Sequence, residues 1–221
     1  MIILLFGPPG CGKGTQAEFI ASRFRIPAIS TGEMFRSECK SGTKLGKLAC
    51  SILSSGRLVP DEIVNQVLAG RIAQSDCRHG FLLDGYPRTV PQAQFLTGLL
   101  ASRGLPTPEV IHLDVPAEAL VARLTARRQC PACSHIYNLI TQPPRTPGIC
   151  DADGTALRCR EDDKEEVIRQ RLQAYDQLTG PVLKYYCSAG CHRIDGTEAP
   201  EKVSRNIEVL LDQLIPVGQA F

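Results

Sequence analysis

The amino-acid sequence predicts an α/β fold in which a parallel sheet is covered by helices on both faces and broken once by a small insertion. Three short, mainly apolar segments have strand length, at Met1–Phe6, Gly80–Gly85 and Val110–Val115. They lack the apolar-polar alternation of a half-exposed strand, which indicates burial on both faces. Helical patterns separate them, and this βαβ order is typical of a parallel sheet.

The helices are predicted from apolar periodicity and from start signals. In Thr15–Arg25, Ala17, Phe19, Ile20 and Phe24 fall on one face. In Ser30–Glu33, a serine and a threonine precede an acid, which is typical of a helix start. The remaining helices are expected at Cys50–Ser55, Asp61–Arg71, Pro91–Ala101, Pro116 to about Arg128, Glu161–Tyr186 and Pro200–Leu214, with a last short strand at Arg193–Asp195.

The regular pattern fails between about Arg128 and Arg160. This stretch contains four prolines and many turn residues and shows no helical period. It is too long for an ordinary loop, so we expect a small, independently folded insertion.

The insertion carries residues with the spacing of a structural zinc knuckle. Two pairs with two-residue spacers are separated by sixteen residues. The predicted ligands are Cys130, Cys133, Cys150 and Asp153. Three thiolates and a carboxylate have the same formal charge as four thiolates, and zinc accepts both donor types. Cys159 and His135 are alternatives to Asp153 as the fourth ligand. With no open coordination position, the metal is expected to fold the insertion.

The other cysteines indicate no further metal site. Of ten cysteines in the chain, five stand alone and are interpreted as small buried or surface residues: Cys11, Cys39, Cys50, Cys77 and Cys159. Cys187 and Cys191 precede His192, but no matching pair lies nearby.

Composition excludes several classes of protein. The 221 residues carry a net charge of +2, which disfavours a broad nucleic-acid-binding face. No apolar run has the length of a membrane span. The opening apolar run has six residues and no preceding basic stretch, so it is interpreted as a strand and not a signal peptide. A cytoplasmic monomer is expected.

A phosphate-binding loop follows the first predicted strand. Gly7, Gly12, Lys13 and Thr15 match the P-loop pattern of glycine, four residues, glycine, lysine, and serine or threonine. The glycines let backbone N–H groups turn toward an anion, and the next helix adds its positive dipole end. Lys13 is expected to bind the outer phosphates and the Thr15 hydroxyl to face Mg²⁺. The loop predicts a nucleoside triphosphate as ligand.

A second group of residues indicates that the phosphoryl group passes to a second ligand that also carries phosphate. Asp84 ends a predicted core strand, where an acid beside a P-loop holds Mg²⁺ directly or through water. Arg88 follows at the carboxyl end of the same strand, the edge where parallel sheets bind ligands. Transfer between two phosphate chains needs several fixed cations. Further arginines lie in segments that can converge on this cleft: Arg36, Arg123, Arg127, Arg160 and Arg171.

With these motifs the chain resembles the adenylate kinases, in their bacterial form with a long, zinc-bearing lid. The resemblance covers nearly the whole length. It rests on segments in a fixed order: Gly7–Thr15, Ser30–Arg36, Gly80–Thr89 with Gln92, Arg127–Arg128, the cysteine module, Arg160–Asp163 and Ile168–Leu172. It implies the P-loop nucleoside monophosphate kinase fold. The core would comprise residues 1–29, 60–126 and 164–221, the AMP-binding domain residues 30–59, and the lid residues 127–163.

The resemblance also implies residue roles. ATP would contact Gly10, Cys11, Gly12, Lys13, Gly14, Thr15, Arg123, Arg127, Ile136, Tyr137 and the Glu198 backbone. AMP would contact Thr31, Arg36, Arg57, Leu58, Val59, Gly85, Tyr86, Pro87, Arg88, Gln92, Arg160 and Arg171. Arg160 and Arg171 would bridge both phosphate chains, and Gln92 would read the adenine edge. The catalytic set would be Lys13, Asp84, Arg88, Arg123, Arg160 and Arg171, with Mg²⁺ bound to ATP.

The expected reaction converts ATP and AMP into two ADP. Three alternatives remain open at this point. A UMP/CMP kinase usually has a different side chain at the position of Thr31 and lacks a long zinc lid. A GTP:AMP kinase differs in donor-base contacts that are mainly main-chain. A non-catalytic ATP-binding switch would not require the arginines.

Overall fold

The computed structural model describes residues 1–41, 43–187 and 190–214. Its main sheet has five parallel strands in the order β2-β3-β1-β4-β7. The strands are β1 (Ile2–Phe6), β2 (Ala28–Ser30), β3 (Phe81–Asp84), β4 (Glu109–Asp114) and β7 (His192–Asp195). An antiparallel hairpin is formed by β5 (Arg127–Gln129) and β6 (Ile136–Asn138). The predicted α/β class and parallel sheet are confirmed.

Helices connect the strands and cover the sheet. Their bounds are α1 (Lys13–Phe24), α2 (Thr31–Ser41), α3 (Lys44–Ser54), α4 (Asp61–Arg71), α5 (Val90–Ser102), α6 (Ala117–Thr125), α7 (Glu165–Ala174), α8 (Gly180–Cys187) and α9 (Pro200–Leu214). No helix of the described chain is both long and apolar enough to cross a bilayer.

The central strand β1 shows why the sheet is covered on both sides. Ile2, Leu4 and Phe6 belong to one buried cluster, with side chains from α4, α5 and α8. Ile3 and Leu5 belong to a second buried cluster, with side chains from α1, α6 and α9. Successive strand residues point to opposite faces, so an unbroken apolar segment needs a core on each face.

Three strands of the sheet position the functional site. After β1 the chain enters the loop at Gly7, after β3 it enters Gly85, and after β7 it enters Gly196. Because the strands are parallel, these loops meet at one edge of the sheet. This is the edge where open α/β sheets bind ligands.

Several predicted element bounds were wrong. β2 was not predicted, because three residues are too few to show a period. The helix after Pro116 ends at Thr125, not near Arg128, since the next residues enter the β5–β6 hairpin. That hairpin was also missed within the irregular insertion.

The long helix predicted over Glu161–Tyr186 is interrupted twice. A 3₁₀ turn spans Glu161–Asp163, and a π-helical turn at Tyr175–Thr179 separates α7 from α8. Pro181 has no backbone N–H to continue the α-helical hydrogen bonding, and glycine precedes it. The wider turn accommodates this defect.

Two cysteine pairs change the interpretation of the solitary cysteines. Cys39 on α2 and Cys50 on α3 form a disulfide with Cα atoms 5.4 Å apart. Cys187 and Cys191 form a second disulfide with Cα atoms 4.8 Å apart. The prediction that Cys39 and Cys50 stand alone was therefore wrong. Helices α2 and α3 pack together, and sequence spacing does not reveal this contact.

Candidate active site

A cavity of about 1020 Å³ opens at the carboxyl edge of the sheet. Its walls come from the phosphate loop, the start of α2, the loop after β3, the β5–β6 hairpin and the start of α9. Most predicted site residues line it: Gly10, Cys11, Gly12, Lys13, Gly14, Thr15, Arg36, Leu58, Asp84, Gly85, Pro87, Arg88, Arg123, Arg127, Ile136, Tyr137, Arg160, Arg171 and Glu198. Segments distant in sequence thus meet around one space.

The phosphate loop has the backbone that an anion requires. Gly12 is the N-cap of α1 with φ 97°, and no atom lies within 4 Å of the position that a Cβ would take. The Lys13 Nζ donates to the carbonyl oxygens of Gly7 at 2.6 Å and Pro8 at 2.9 Å, so its ammonium lies over the loop. The Cys11 thiol is buried beneath it, which raises the pKa of Cys11. The loop therefore presents an N-terminal dipole and a full positive charge to the cavity.

Some predicted AMP-contacting residues lie behind the cavity wall. Thr31 is buried, and its hydroxyl donates to the Gly85 carbonyl at 2.9 Å. Val59 and Tyr86 belong to the buried core. Arg57 is exposed, and its Nε donates to the Ser55 hydroxyl at 2.9 Å. The structure does not bring these four side chains onto the cavity surface, so their contacts with a nucleotide stay predictions.

Gln92 also lies behind the wall, and its amide is engaged at both ends. Its Oε1 accepts the Arg88 backbone N–H at 2.8 Å, and its Nε2 donates to Asp61 Oδ1 at 2.7 Å. The side-chain amide retains one hydrogen and one acceptor position for other partners. Its predicted contact with adenine stays a prediction.

The arginines of the cavity are held by carboxylates that the sequence analysis did not assign to the site. Asp163 has a fully buried side chain and accepts from Arg127 Nε at 2.7 Å and Arg171 at 3.0 Å. Asp162 lies 3.2 Å from Arg171 and 3.9 Å from Arg36. The last residues of the predicted lid supply both acids, which are adjacent in a 3₁₀ turn.

Glu33 connects the two sides of the cavity. It accepts from Arg36 at 2.6 Å on its own helix and from Arg160 at 2.8 Å near the end of the predicted lid. Although burial opposes it, the charges of Arg36 and Arg160 lower the pKa of Glu33. The helix-start motif contained Glu33, but only the tertiary structure reveals its partners. Two arginines converging on one carboxylate show that this position accommodates an anion.

Arg88 differs from these paired arginines. Among the residues that the structure describes, it has no carboxylate within ion-pair distance. Its Nε donates to the Gly85 carbonyl at 2.7 Å. Burial, followed by the nearby charge of Arg171, lowers the pKa of Arg88 to about 10. The Arg88 guanidinium has lost solvation without forming an ion pair, so binding of an anion next to it is favourable.

Arg123 completes the cationic lining next to the phosphate loop. Its guanidinium donates to the carbonyls of Gly196 at 2.8 Å and Thr197 at 3.2 Å, which fixes α6 to the loop after β7.

Arg160 is also a desolvated cation of the cavity. Burial, followed by the charge of Arg36, lowers the pKa of Arg160 to about 10. The cavity is therefore suited to ligands with many negative oxygens.

The irregular insertion contains a cluster suited to a metal ion. One ligand atom from each of Cys130, Cys133, Cys150 and Asp153 lies within 4.8 Å of the others. The Sγ atoms of Cys133 and Cys150 are 3.5 Å apart, and Cys130 Sγ is 3.3 Å from Asp153 Oδ2. Two Zn–S bonds of ~2.3 Å at a tetrahedral angle separate sulfurs by about 3.8 Å. The four donors therefore fit Zn²⁺.

The predicted four-residue set is the one that the fold brings together. Among the described residues, neither Cys159 nor His135 belongs to the cluster. The backbone N–H of Cys133 approaches Cys130 Sγ at 3.4 Å, a contact that stabilises a thiolate. Tyr137 lies beside the cluster, with its hydroxyl 3.5 Å from Cys150 Sγ. The same β6 strand thus contacts the metal cluster and lines the cavity.

The fold and the site together define a class of protein. A phosphate loop and a second cationic pocket share one cleft, which is the arrangement of P-loop proteins that bring two phosphorylated ligands together. A cluster that could hold zinc lies in a segment that lines the same cavity.

Comparison with known proteins identifies the family within that class. The sequence profile of adenylate kinase matches residues 5–191. The chain is 47% identical to an adenylate kinase of Methanococcoides burtonii, over 96% of this chain and 99% of that protein. It is 45% identical to one of Caldanaerobacter subterraneus subsp. tengcongensis, over 96% of each chain. One of Syntrophomonas wolfei subsp. wolfei is 46% identical over 97% of this chain and its full length. The chain belongs to the adenylate kinase family.

Proposed function

We propose that this protein catalyses the reversible, Mg²⁺-dependent transfer of the terminal phosphoryl group of ATP to AMP, which yields two ADP. One observation carries the proposal: a single cavity contains both a phosphate loop and a second group of cations, with Arg88 among them. At about 1020 Å³ it lies at the upper end of the range for small-ligand pockets. This volume favours two ligands bound end to end.

ATP would occupy the side of the phosphate loop. Gly10–Thr15 would surround its phosphates, with Lys13 placing a full charge beside them. Arg123 and Arg127 would pack on the base or the phosphates, and Ile136 and Tyr137 would contact the nucleotide from the lid. Glu198 would contribute its backbone carbonyl next to the base. All of these residues line the cavity, which supports the assignment.

AMP would occupy the opposite side. Arg36 and Arg88 would bind its phosphate, and Leu58, Gly85 and Pro87 would contact the rest of the nucleotide. Thr31 and Gln92 would contribute to base selection, which favours AMP over UMP or CMP. Arg160 and Arg171 would bridge the two phosphate chains.

The residues in the cavity match the chemistry of this reaction. The AMP phosphate is already ionised at neutral pH, so its oxygen attacks the terminal phosphorus of ATP without a general base. Catalysis then consists of alignment and charge neutralisation. Lys13, Arg88, Arg123, Arg160 and Arg171 supply fixed positive charge. Mg²⁺ bound with ATP would add Lewis-acid neutralisation of the phosphate oxygens, with the Thr15 hydroxyl and Asp84 placed to hold it.

The lid contributes water exclusion. Contacts already reach from the AMP-binding side to the far side of the cleft, through Glu33 to Arg160 and from Lys40 Nζ to the Pro131 carbonyl at 3.3 Å. Enclosure of this kind prevents water from replacing AMP as the acceptor. Zn²⁺ held by the four-residue cluster would stabilise the lid, because so small a segment buries little apolar surface. The chain would then be of the long-lid, zinc-binding type.

The cellular location and the oligomeric state are also part of the proposal. We place the protein in the cytoplasm, where the three thiols of the metal cluster stay reduced for metal binding, although the disulfides Cys39–Cys50 and Cys187–Cys191 are more typical of an oxidising compartment. One chain contributes every proposed contact, so the active unit would be a monomer.

The decisive assay couples ADP formation to NADH oxidation, with ATP and AMP as substrates. We expect turnover that depends on Mg²⁺ and disappears with EDTA. Parallel reactions with UMP, CMP and GTP test the alternative substrates. Isothermal titration with ATP and AMP tests for two sites; a single nucleotide site and no ADP formation would refute the function and favour an ATP-binding switch.

A further inference from the structure

Arg88 is held through its backbone by two side chains, one from the helix that follows it and one from a distant segment. Its N–H donates to Gln92 Oε1 at 2.8 Å, and its carbonyl accepts from the Thr179 hydroxyl at 3.1 Å. Gln92 lies on α5, whereas Thr179 is 91 residues away in the chain. Both polar atoms of the Arg88 backbone are thus fixed, and the Nε bond to Gly85 fixes the start of the guanidinium.

The orientation of the Gln92 amide is determined by Asp61. Its carboxylate accepts from Gln92 Nε2 at 2.7 Å through Oδ1 and from the Thr89 hydroxyl at 2.6 Å through Oδ2. A carboxylate only accepts and the Arg88 backbone N–H only donates, so a flipped amide would lose both bonds. Asp61 is the first residue of α4, where the helix dipole favours its negative charge.

Thr179 reaches Arg88 from the π-helical turn. The residue is buried at 5% exposure and lines the same cavity. A buried hydroxyl needs a hydrogen-bond partner, and for Thr179 that partner is the Arg88 carbonyl. π-helical turns are frequent at functional sites, where they alter which side chains a helix presents. Pro181 explains why the helix has this turn, and the turn brings the Thr179 hydroxyl to the Arg88 carbonyl.

We propose that Thr179 and Asp61 are positioning residues that fix Arg88 for phosphoryl transfer, Thr179 directly and Asp61 through Gln92. This inference rests on the proposed function, because it assigns the pair to the step in which Arg88 contacts the transferred phosphoryl group. Neither residue needs to contact a nucleotide. A misplacement of ~1 Å can lower turnover by up to about 10²-fold, so loosening one of two backbone contacts is expected to lower kcat measurably.

The direct test replaces Thr179 by valine and by serine. Thr179→Val keeps the shape and removes the hydroxyl, and we expect kcat to fall about five- to tenfold with KM for ATP unchanged within twofold. Thr179→Ser retains the hydroxyl and should restore most of the rate. Thr97→Val is the matched control, since the exposed Thr97 hydroxyl donates to the Ala93 carbonyl on α5. It should behave as the wild type.

A double-mutant cycle separates positioning from a general structural role. In an Arg88→Ala background, Thr179→Val and Asp61→Ala should lower kcat by less than twofold, because the side chain through which they act is absent. In the wild-type background, Asp61→Ala removes both acceptor oxygens and should lower kcat by a factor similar to that of Thr179→Val. Melting temperatures accompany every measurement.

Three results would each overturn the inference. They are equal losses of kcat in both backgrounds, failure of Thr179→Ser to restore the rate, and wild-type kcat in Thr179→Val. If the wild-type protein itself makes no ADP from ATP and AMP, the proposed function fails instead. An active wild type with an unaffected Thr179→Val variant leaves that function intact and removes only the positioning role.

Discussion

Replacement of Arg88 by alanine is the sharpest test of the cationic cleft. The guanidinium lines the cavity, and no described carboxylate lies within ion-pair distance. Burial, followed by the charge of Arg171, lowers the pKa of Arg88 to about 10, so the cation is less well stabilised here than in water. A single charge-stabilising donor contributes about 3 kcal/mol to a transition state, and the Arg88 guanidinium is placed to act as one.

The expected loss of turnover follows from this magnitude. If the transition state recovers about 3 kcal/mol, Arg88→Ala should lower kcat by ~10²-fold or more, in the range found for single charge-stabilising donors. Arg88→Lys keeps the charge but loses the forked geometry, so an intermediate rate is expected. Stability should change little, because the substitution removes an uncompensated buried charge and only one hydrogen bond to Gly85.

The assay is ADP formation at saturating ATP and AMP, accompanied by thermal unfolding. Arg169→Ala is the matched control, since Arg169 is 69% exposed on α7 and pairs only with Glu165 at 2.7 Å in the described structure. It should retain wild-type kcat and melting temperature. A kcat within threefold of the wild type for Arg88→Ala, or a loss of rate that parallels a fall of many degrees in melting temperature, would refute the reasoning.

Three further predictions concern stability and geometry. Removal of the metal by a chelator should unfold the lid and lower the melting temperature by several degrees, measured by calorimetry; an unchanged melting curve after complete removal would contradict a structural role. Asp163→Ala should lower the free energy of unfolding, measured by urea denaturation, by about 3–5 kcal/mol, because Arg127 loses its counter-charge. A loss below ~1 kcal/mol would be inconsistent with this role of Asp163. Gly85→Ala should lower kcat and have a smaller effect on the free energy of unfolding. The new Cβ would lie 2.8 Å from an Arg88 guanidinium nitrogen, at a residue whose φ is 75°. A wild-type kcat would show that Arg88 tolerates the displacement.

Local patterns predicted much of the fold and part of the site. The strands β1 and β3 were predicted because segments buried on both faces are continuously apolar, and β4 was predicted from its buried residues Val110, Ile111 and Leu113. The phosphate loop was predicted because glycine and lysine spacing is set by backbone geometry over a few residues. The four candidate metal ligands were predicted because each pair lies on a short turn, and the fold brings all four together.

Other features were missed because their causes are not local. The disulfide between Cys39 and Cys50 depends on how α2 packs against α3. The strand β2 is too short to show a period, and it forms because β3 offers a free edge for pairing. The π-helical turn had a local signal in Pro181, but an otherwise continuous helical pattern outweighed it.

The sequence by itself predicted a phosphate loop for a triphosphate and an insertion with four candidate metal ligands, because each motif is complete within a short stretch of backbone. Only the tertiary structure decided which arginines are neutralised by Glu33, Asp162 and Asp163, and that Arg88 has no such partner among the described residues. Charge pairing depends on distances between segments that packing brings together, and the identity and order of residues do not specify those distances.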